Sequence, residues 1–287
     1  DAGGTLTIGS VQAGCGLQLV SGDNLAFDSL RAGNDIRLTS RRGHVRGRTV
    51  DAGGSLQVGA AQDIGITDAV AGIDITANSG DAQEWGSYRA GRDVRLTAGD
   101  DVVTGSGESG GLQSIISGGS IHFDRIQAGS TATMDAQGGS LTGGTLRAAS
   151  GDLAARDHLS LAQAMVDTRL NLAASDIEAH IAQSSIGSGP LTTTLTGYRN
   201  GVARQIVVEV DPRDAWLIDQ IKAVDAQLAS TAARADIVQG YIEKTMTLAT
   251  SDMNMLMDNT SPVLRPYDVQ LMQLDKTFRL SADGTFL

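Results

Sequence analysis

The sequence predicts a mainly β protein: a right-handed parallel β-helix with coils of 19–20 residues, followed by a C-terminal α+β cap module. Three observations carry that expectation. A short motif recurs at a fixed step along the first two thirds of the chain. Each copy alternates apolar and polar residues. The 287 residues include 36 Gly but only 10 aromatics, so a core must be built from small aliphatic side chains.

The repeat reads AGGTLTI from Ala2, AGCGLQLV from Ala13, AGNDIRLTS from Ala32 and AGGSLQVGA from Ala52. It continues as AGIDITA from Ala71, AGRDVRLTA from Ala90, SGGSIHFD from Ser117 and AGSTATMD from Ala128. The steps from Ala32 to Ala52, Ala71 and Ala90 are 20, 19 and 19, and the step on to Ala128 is 38, twice 19. A fixed period of this size signals a solenoid.

Each part of the repeat has a physical reading. Ala-Gly-x-x makes a tight turn in which Gly is free to adopt positive φ. Alternating runs such as Asp35-Ile36-Arg37-Leu38-Thr39 and Asp93-Val94-Arg95-Leu96-Thr97 predict strands with one face buried, Ile36, Leu38, Val94 and Leu96 pointing inward. Weaker strand-like runs lie between them, at 43–47, 64–67 and 101–104. One such coil cannot bury its interior alone; stacking does. About nine coils spaced by roughly 4.8 Å give a rod of roughly 45 Å.

Composition divides the chain. All four Pro and all three Lys (Lys222, Lys244, Lys276) fall in the last third, whereas only four of 36 Gly lie beyond position 196. The segment ending at Pro190 is read as the seam, giving a shaft at 1–189 and a module at 190–287. In that module Asn200-Gly201 predicts a hairpin over 191–210. Asp211 and Pro212 suit the N-cap and first position of a helix, and the apolar spacing extends helical character over 212–257. Terminal strands are expected over 277–287. A solenoid end exposes unpaired strand edges, so the module is read as a cap, as a recognition tip, or as both.

Composition also excludes function classes. One Cys removes disulfide scaffolds and multi-Cys zinc sites. A net charge of -11 removes a basic nucleic-acid footprint, and no apolar run reaches membrane-span length. His44, His122, His158 and His180 lack metal-ligand spacing, so neither metal nor cofactor is expected. Cys15 has no basic partner in sequence and reads as passive. Asp23, Asp35, Asp74, Asp93 and Asp152 mostly follow turn glycines and read as turn-stabilising acceptors, not catalytic carboxylates. No catalytic residue is assigned.

Two stretches stand out as binding candidates. Arg41-Arg42-Gly43-His44-Val45-Arg46-Gly47-Arg48 is the most basic stretch of an acidic chain. In a strand, Arg42, His44, Arg46 and Arg48 share the outward face, a spacing suited to glycan sulfates or carboxylates. The competing reading is a solvated face balanced by acids on adjacent coils. Met253, Met255 and Met257 alternate, and flexible thioethers serve partner surfaces as well as irregular cores.

Repeats of the form AGxDIxLTA, at 32, 71 and 90, resemble those of filamentous haemagglutinin-type exoproteins, over roughly residues 1–187. The resemblance implies a secreted bacterial surface adhesin without enzymatic activity. It implies export through an outer-membrane two-partner secretion pore, a host-cell receptor or glycan as partner, and a role in virulence. The chain begins in mid-repeat and is expected to be a fragment from the C-terminal end of a longer shaft. The alternatives are a glycan-cleaving β-helix enzyme, which needs a carboxylate pair in a lateral groove, and a cap that controls export or maturation.

Overall fold

A computed structural model describes residues 1–183, 191–199, 202–210, 245–248, 263–264 and 279–280. The chain winds as a parallel β-solenoid of about nine turns, and the described residues contain no helix. Each of the first coils holds a long and a short strand: β1 (Leu6–Ala13) and β2 (Leu17–Ser21), β3 (Leu25–Ala32) and β4 (Ile36–Ser40), β5 (Val45–Ala52) and β6 (Leu56–Ala60), β7 (Ile64–Ala71) and β8 (Ile75–Ser79). The pattern continues with β9 (Gln83–Ala90) and β10 (Val94–Ala98), β11 (Val102–Ser109) and β12 (Gln113–Ser117), β13 (Ile121–Ala128) and β14 (Thr131–Ala136). Long and short strands then merge in β15 (Leu141–Ala155) and β16 (His158–Ala173), before β17 (Asp176–Gln183) and β18 (Leu191–Arg199).

Pairing runs coil over coil. Leu25 sits on Leu6, Val45 on Leu25 and Ile64 on Val45, all in parallel ladders. The short strands stack likewise, Ile36 on Leu17 and Leu56 on Ile36. Side chains in one column therefore form continuous aliphatic stacks: Ile36, Leu56, Ile75 and Val94 are all at 0% exposure. Removing that apolar surface from water is what each coil gains by stacking.

The long strands turn a corner. Leu25 and Phe27 point inward, then Leu30 and Ala32; Asp28 and Ser29 between them both face outward or nearly so. The ladder lapses for one residue at that point, where Asp28 meets Arg48, while Phe27 pairs with Gly47 and Ser29 with Thr49. Two outward residues in succession reverse the alternation, so each coil presents three faces.

Glycine serves close approach here, not unusual dihedrals. None of the described glycines adopts the positive φ expected for the Ala-Gly turn. Instead Gly33, Gly53, Gly72, Gly91, Gly110 and Gly129 form a column in which a Cβ on each would collide with the carbonyl oxygen of the glycine one coil before. The backbone bonds responsible include Gly53 N–H to Ala32 O at 2.9 Å and Gly91 N–H to Ala71 O at 3.0 Å. Inside the lumen, glycine makes room for aromatic rings. Gly47 lies against Phe27, Gly107 against Tyr88 and Gly143 against Phe123, each one coil further along.

The ladder crosses the seam expected at Pro190. β18 pairs parallel with β16, Leu170 opposite Thr193 and Leu172 opposite Leu195, and so belongs to the last coil. It then pairs antiparallel with β19 (Val202–Val210), Arg199 opposite Val202. β20 (Thr245–Leu248), β21 (Val263–Leu264) and β22 (Arg279–Leu280) follow. β20 and β22 lie antiparallel on β17, and β21 lies parallel on β19. β20 corrects the helical expectation for 212–257 over its four residues: Thr-Met-Thr-Leu alternates, two of the four are β-branched, and the edge of β17 offers the pairing their backbone needs. The remainder of the expected helix lies outside the described residues.

Candidate functional site

The cationic segment occupies the turn into β5 and the outward side of that strand. Val45 is buried and Gly43 is too, while Arg42, Arg46 and Arg48 are exposed and His44 is half-buried. The row therefore faces solvent from one side of one coil. Each member also has an acidic neighbour one coil away. Arg42 Nη2 lies 2.9 Å from Asp23 Oδ1, and its Nε donates to the Gly22 carbonyl at 3.1 Å. Arg48 Nη2 contacts Asp28 at 2.9 Å. His44 Nδ1 lies 2.9 Å from Asp63 Oδ2, and Arg46 Nη2 reaches the same oxygen at 3.8 Å.

These contacts give each cationic side chain an acidic neighbour on an adjacent coil. The guanidiniums are two-thirds exposed and their acids about a third to a half, so each pair is solvent-screened and weak. A ligand anion would have to displace or share Asp23, Asp28 or Asp63. The repeat period itself locates those partners: 42 less 19 is 23, 48 less 20 is 28, and 44 plus 19 is 63.

Beside the row runs an open lateral groove of about 490 Å³, lined by Arg46, Gly47, Asp63, Gly65, Thr67 and Glu84 among others. Its floor is low because the residues between the charged columns are glycines. Gly65 stands between Arg46 and Glu84 in the ladder and carries no side chain there. Asp63 is anchored at its rim, since its Oδ1 accepts the Ala82 N–H at 3.3 Å and its own N–H points to His44 Nδ1 at 3.3 Å. Coil spacing and residue rise together put the Cα atoms of Asp63 and Glu84 roughly 8 Å apart. The groove thus offers a guanidinium, a hydroxyl and two carboxylates over a flat peptide floor, a set that suits hydroxyl-rich ligands.

Several of the aspartates that follow turn glycines accept hydrogen bonds from backbone N–H groups, and others pair with side chains. Asp35 Oδ1 accepts the Ser55 N–H at 2.8 Å, Asp93 Oδ1 the Leu112 N–H at 3.0 Å and Asp101 Oδ1 the Ser120 N–H at 2.6 Å. Asp74 accepts the Asp93 N–H at 3.2 Å and is clasped by Arg92, Nε to Oδ1 at 2.9 Å and Nη2 to Oδ2 at 2.5 Å. That guanidinium holds the Asp74 carboxyl below its ordinary range despite an opposing contribution from burial. Asp152 takes Arg169 at 3.1 Å and Asn171, while Asp23 serves Arg42.

His122 approaches Asp124 at 3.8 Å and His158 Nδ1 meets Asp176 Oδ2 at 2.7 Å. Cys15 is exposed. Among the described residues no group of three or more His, Cys, Asp or Glu stands together as a metal site, and no helix is long and apolar enough to cross a membrane. Met253, Met255 and Met257 lie outside the described residues.

One feature escapes a residue-by-residue reading of the sequence. Gln83, Trp85, Tyr88, Thr104 and Gln113 are all buried within the lumen at one level. Their alternation in β9, β11 and β12 places them inward, in phase with the aliphatic columns, and that phase is the signal by which the sequence could have revealed them. No family model, curated protein or solved structure matches the chain.

Proposed function

We propose that the chain is a shaft segment of a secreted bacterial surface adhesin, right-handed in its winding, with residues from 190 onward forming an α+β cap that also serves as its tip. The observation that supports this reading most is the coil-over-coil parallel pairing that runs from β1 to β18. Such a ladder supplies distance and stiffness and presents long lateral faces to a partner. A host-cell receptor or surface glycan is the partner this reading implies, with Arg42, His44, Arg46, Arg48 and the adjoining groove as the lateral contact. Met253, Met255 and Met257 are the corresponding candidates at the tip. Export through a two-partner secretion pore belongs to the same proposal and rests on the repeat resemblance.

The test compares residues 1–287 with a shortened protein ending at 210, which keeps the β18–β19 pair. Both are checked for β circular dichroism and then applied to epithelial and phagocytic cells. Binding lost on shortening assigns recognition to the tip. Binding retained, and lost when Arg42, Arg46 and Arg48 become Ser, assigns it to the lateral row. Two folded proteins that bind no cell would sink the adhesive reading.

The presence of Asp63 and Glu84 in one groove favours a second reading, glycan cleavage, which asks for two carboxyl groups about 5 to 9.5 Å apart. Release of reducing ends from a polysaccharide panel, abolished by Glu84→Gln, is the result that reading requires.

A further inference from the structure

At one level of the mostly apolar lumen, where β9 stacks under β11 and β10 under β12, large polar and aromatic side chains gather. Gln83, Trp85 and Tyr88 come from one coil and Thr104 and Gln113 from the next, all at 2% exposure or less. Most of their hydrogen-bonding demand is met among themselves. Gln83 Nε2 donates to the Thr97 carbonyl at 2.7 Å, and Trp85 Nε1 donates to Gln83 Oε1 at 3.1 Å. Gln113 Nε2 donates to the Tyr88 hydroxyl oxygen. Trp85 and Tyr88 meet edge to face with centroids 5.9 Å apart. Gly107 leaves the space that the phenol occupies.

Two atoms remain outside this network. Thr104 Oγ1 and Gln113 Oε1 are sealed from solvent, and no hydrogen bond of proper geometry reaches either. The Thr104 hydroxyl approaches the Tyr88 phenol as a hydrogen-bonding neighbour that opposes the effect of burial on its pKa, yet the contact does not make a full hydrogen bond to Thr104 Oγ1. Native interiors rarely leave such atoms unpaired. Turning the Gln113 amide end for end does not resolve it. The Tyr88 hydroxyl would then donate to Oε1, and the amide NH₂ would be the group left over. Whatever completes the network must donate to one side chain and accept from another, must be small, and must be neutral. No ionised group stands in the cluster, and burial pushes the Tyr88 phenol up, so it is uncharged at neutral pH. The residue stacked on Gln113 is the small Ala132, whereas the preceding coils carry Leu56, Ile75 and Val94 in that column.

We propose that the solenoid lumen holds one ordered water molecule at this level, bridging Thr104 Oγ1 and the Gln113 side-chain amide beside the Tyr88 hydroxyl. Water alone among common small species offers two donors and two acceptors in that volume. The site is independent of the adhesive reading, because it rests only on the interior of the coils.

The test is a crystal structure of the whole chain, at a resolution where buried waters are visible, together with Thr104→Val and Thr104→Ser. Density within hydrogen-bond distance of Thr104 Oγ1 and the Gln113 amide is the expected result. Thr104→Val should then lose the density and lower the thermal midpoint by several degrees, and Thr104→Ser should keep both. Absence of density at that point overturns the proposal. So does a Thr104→Val protein whose midpoint is raised, because deleting a hydroxyl that has no partner removes a penalty instead of a bond.

Discussion

Gly47→Ala tests the packing logic of the lumen most directly. A Cβ on Gly47 points at the Phe27 ring, reaching Cδ2 at 2.5 Å and lying closer still to Cε2 and Cζ. Ordinary carbon–carbon contact begins near 3.5 Å, so the ring must move by roughly 1 Å or more. Phe27 is 7% exposed and is held among the coils, so that movement displaces packed neighbours. Overpacking of this kind costs about 1–3 kcal/mol. For a chain of this size the midpoint should fall by about 2–4 °C for each kcal/mol. The structure supplies its own control. A Cβ on Gly59, in β6, would meet nothing within 4 Å, so Gly59→Ala should be neutral or stabilise by up to about 1 kcal/mol through the unfolded chain. Phe27→Leu should relieve Gly47→Ala, giving a coupling of about 0.5–3 kcal/mol in a double-mutant cycle read by calorimetry. Equal midpoints for Gly47→Ala and Gly59→Ala would refute the argument that aromatic rings in this lumen depend on glycine one coil further on.

Gly72→Ala should be worse tolerated than Gly47→Ala, since its Cβ would meet the Gly53 backbone carbonyl, which cannot rotate away; low soluble yield or lost β circular dichroism is the expected readout. Tyr88→Phe leaves the Gln113 amide without its acceptor and should cost about 1–3 kcal/mol in chemical denaturation. The same phenol makes an alkaline prediction. Its pKa is raised in the folded state, so its contribution is full below the ordinary value near 10 and is lost as pH rises above it. The alkaline loss of stability should therefore shrink in Tyr88→Phe. Asp74 works in the opposite sense: its folded pKa is lowered, so its contribution is present above the ordinary carboxylate pKa and is lost as pH falls. Arg92→Gln should move the Asp74 carboxyl back up in an NMR titration. Changing Arg42 or Arg48 to Ser should alter the unfolding free energy by no more than about 1 kcal/mol, since both pairs are exposed; a larger loss in denaturant titration would show that they brace the coils.

The repeat step and the alternation are legible in the sequence because each is a local pattern. Ile36 and Leu38 are fully buried and Arg37 exposed, as the alternation at 35–39 requires. The corner of the long strand is not legible, since Asp28, Arg48, Thr67, Gly86, Gly105 and Asp124 occupy it in turn and share no chemistry. What the corner needs is a reversal of side, which many residues accept. The partners of the cationic row are hidden for a different reason. Asp23, Asp28 and Asp63 are remote in sequence, and only the coil register makes them neighbours. The same arithmetic pairs Phe27 with Gly47, Tyr88 with Gly107 and Phe123 with Gly143. The turn glycines are conspicuous in the repeat, but their cause is not dihedral freedom: the spacing of stacked backbones is what excludes a side chain.

The reversal of direction on β17 bears on how such an array stops growing. Every earlier strand hands its neighbour a parallel template, and a parallel template can be copied by any similar coil, including one from another molecule. β20 and β22 occupy that template with chains running the other way, Ile181 opposite Met246 and Ile177 opposite Leu280. On this face β20 and β22 therefore occupy part of the edge that a coil of another molecule could otherwise copy, and the chain itself covers that template.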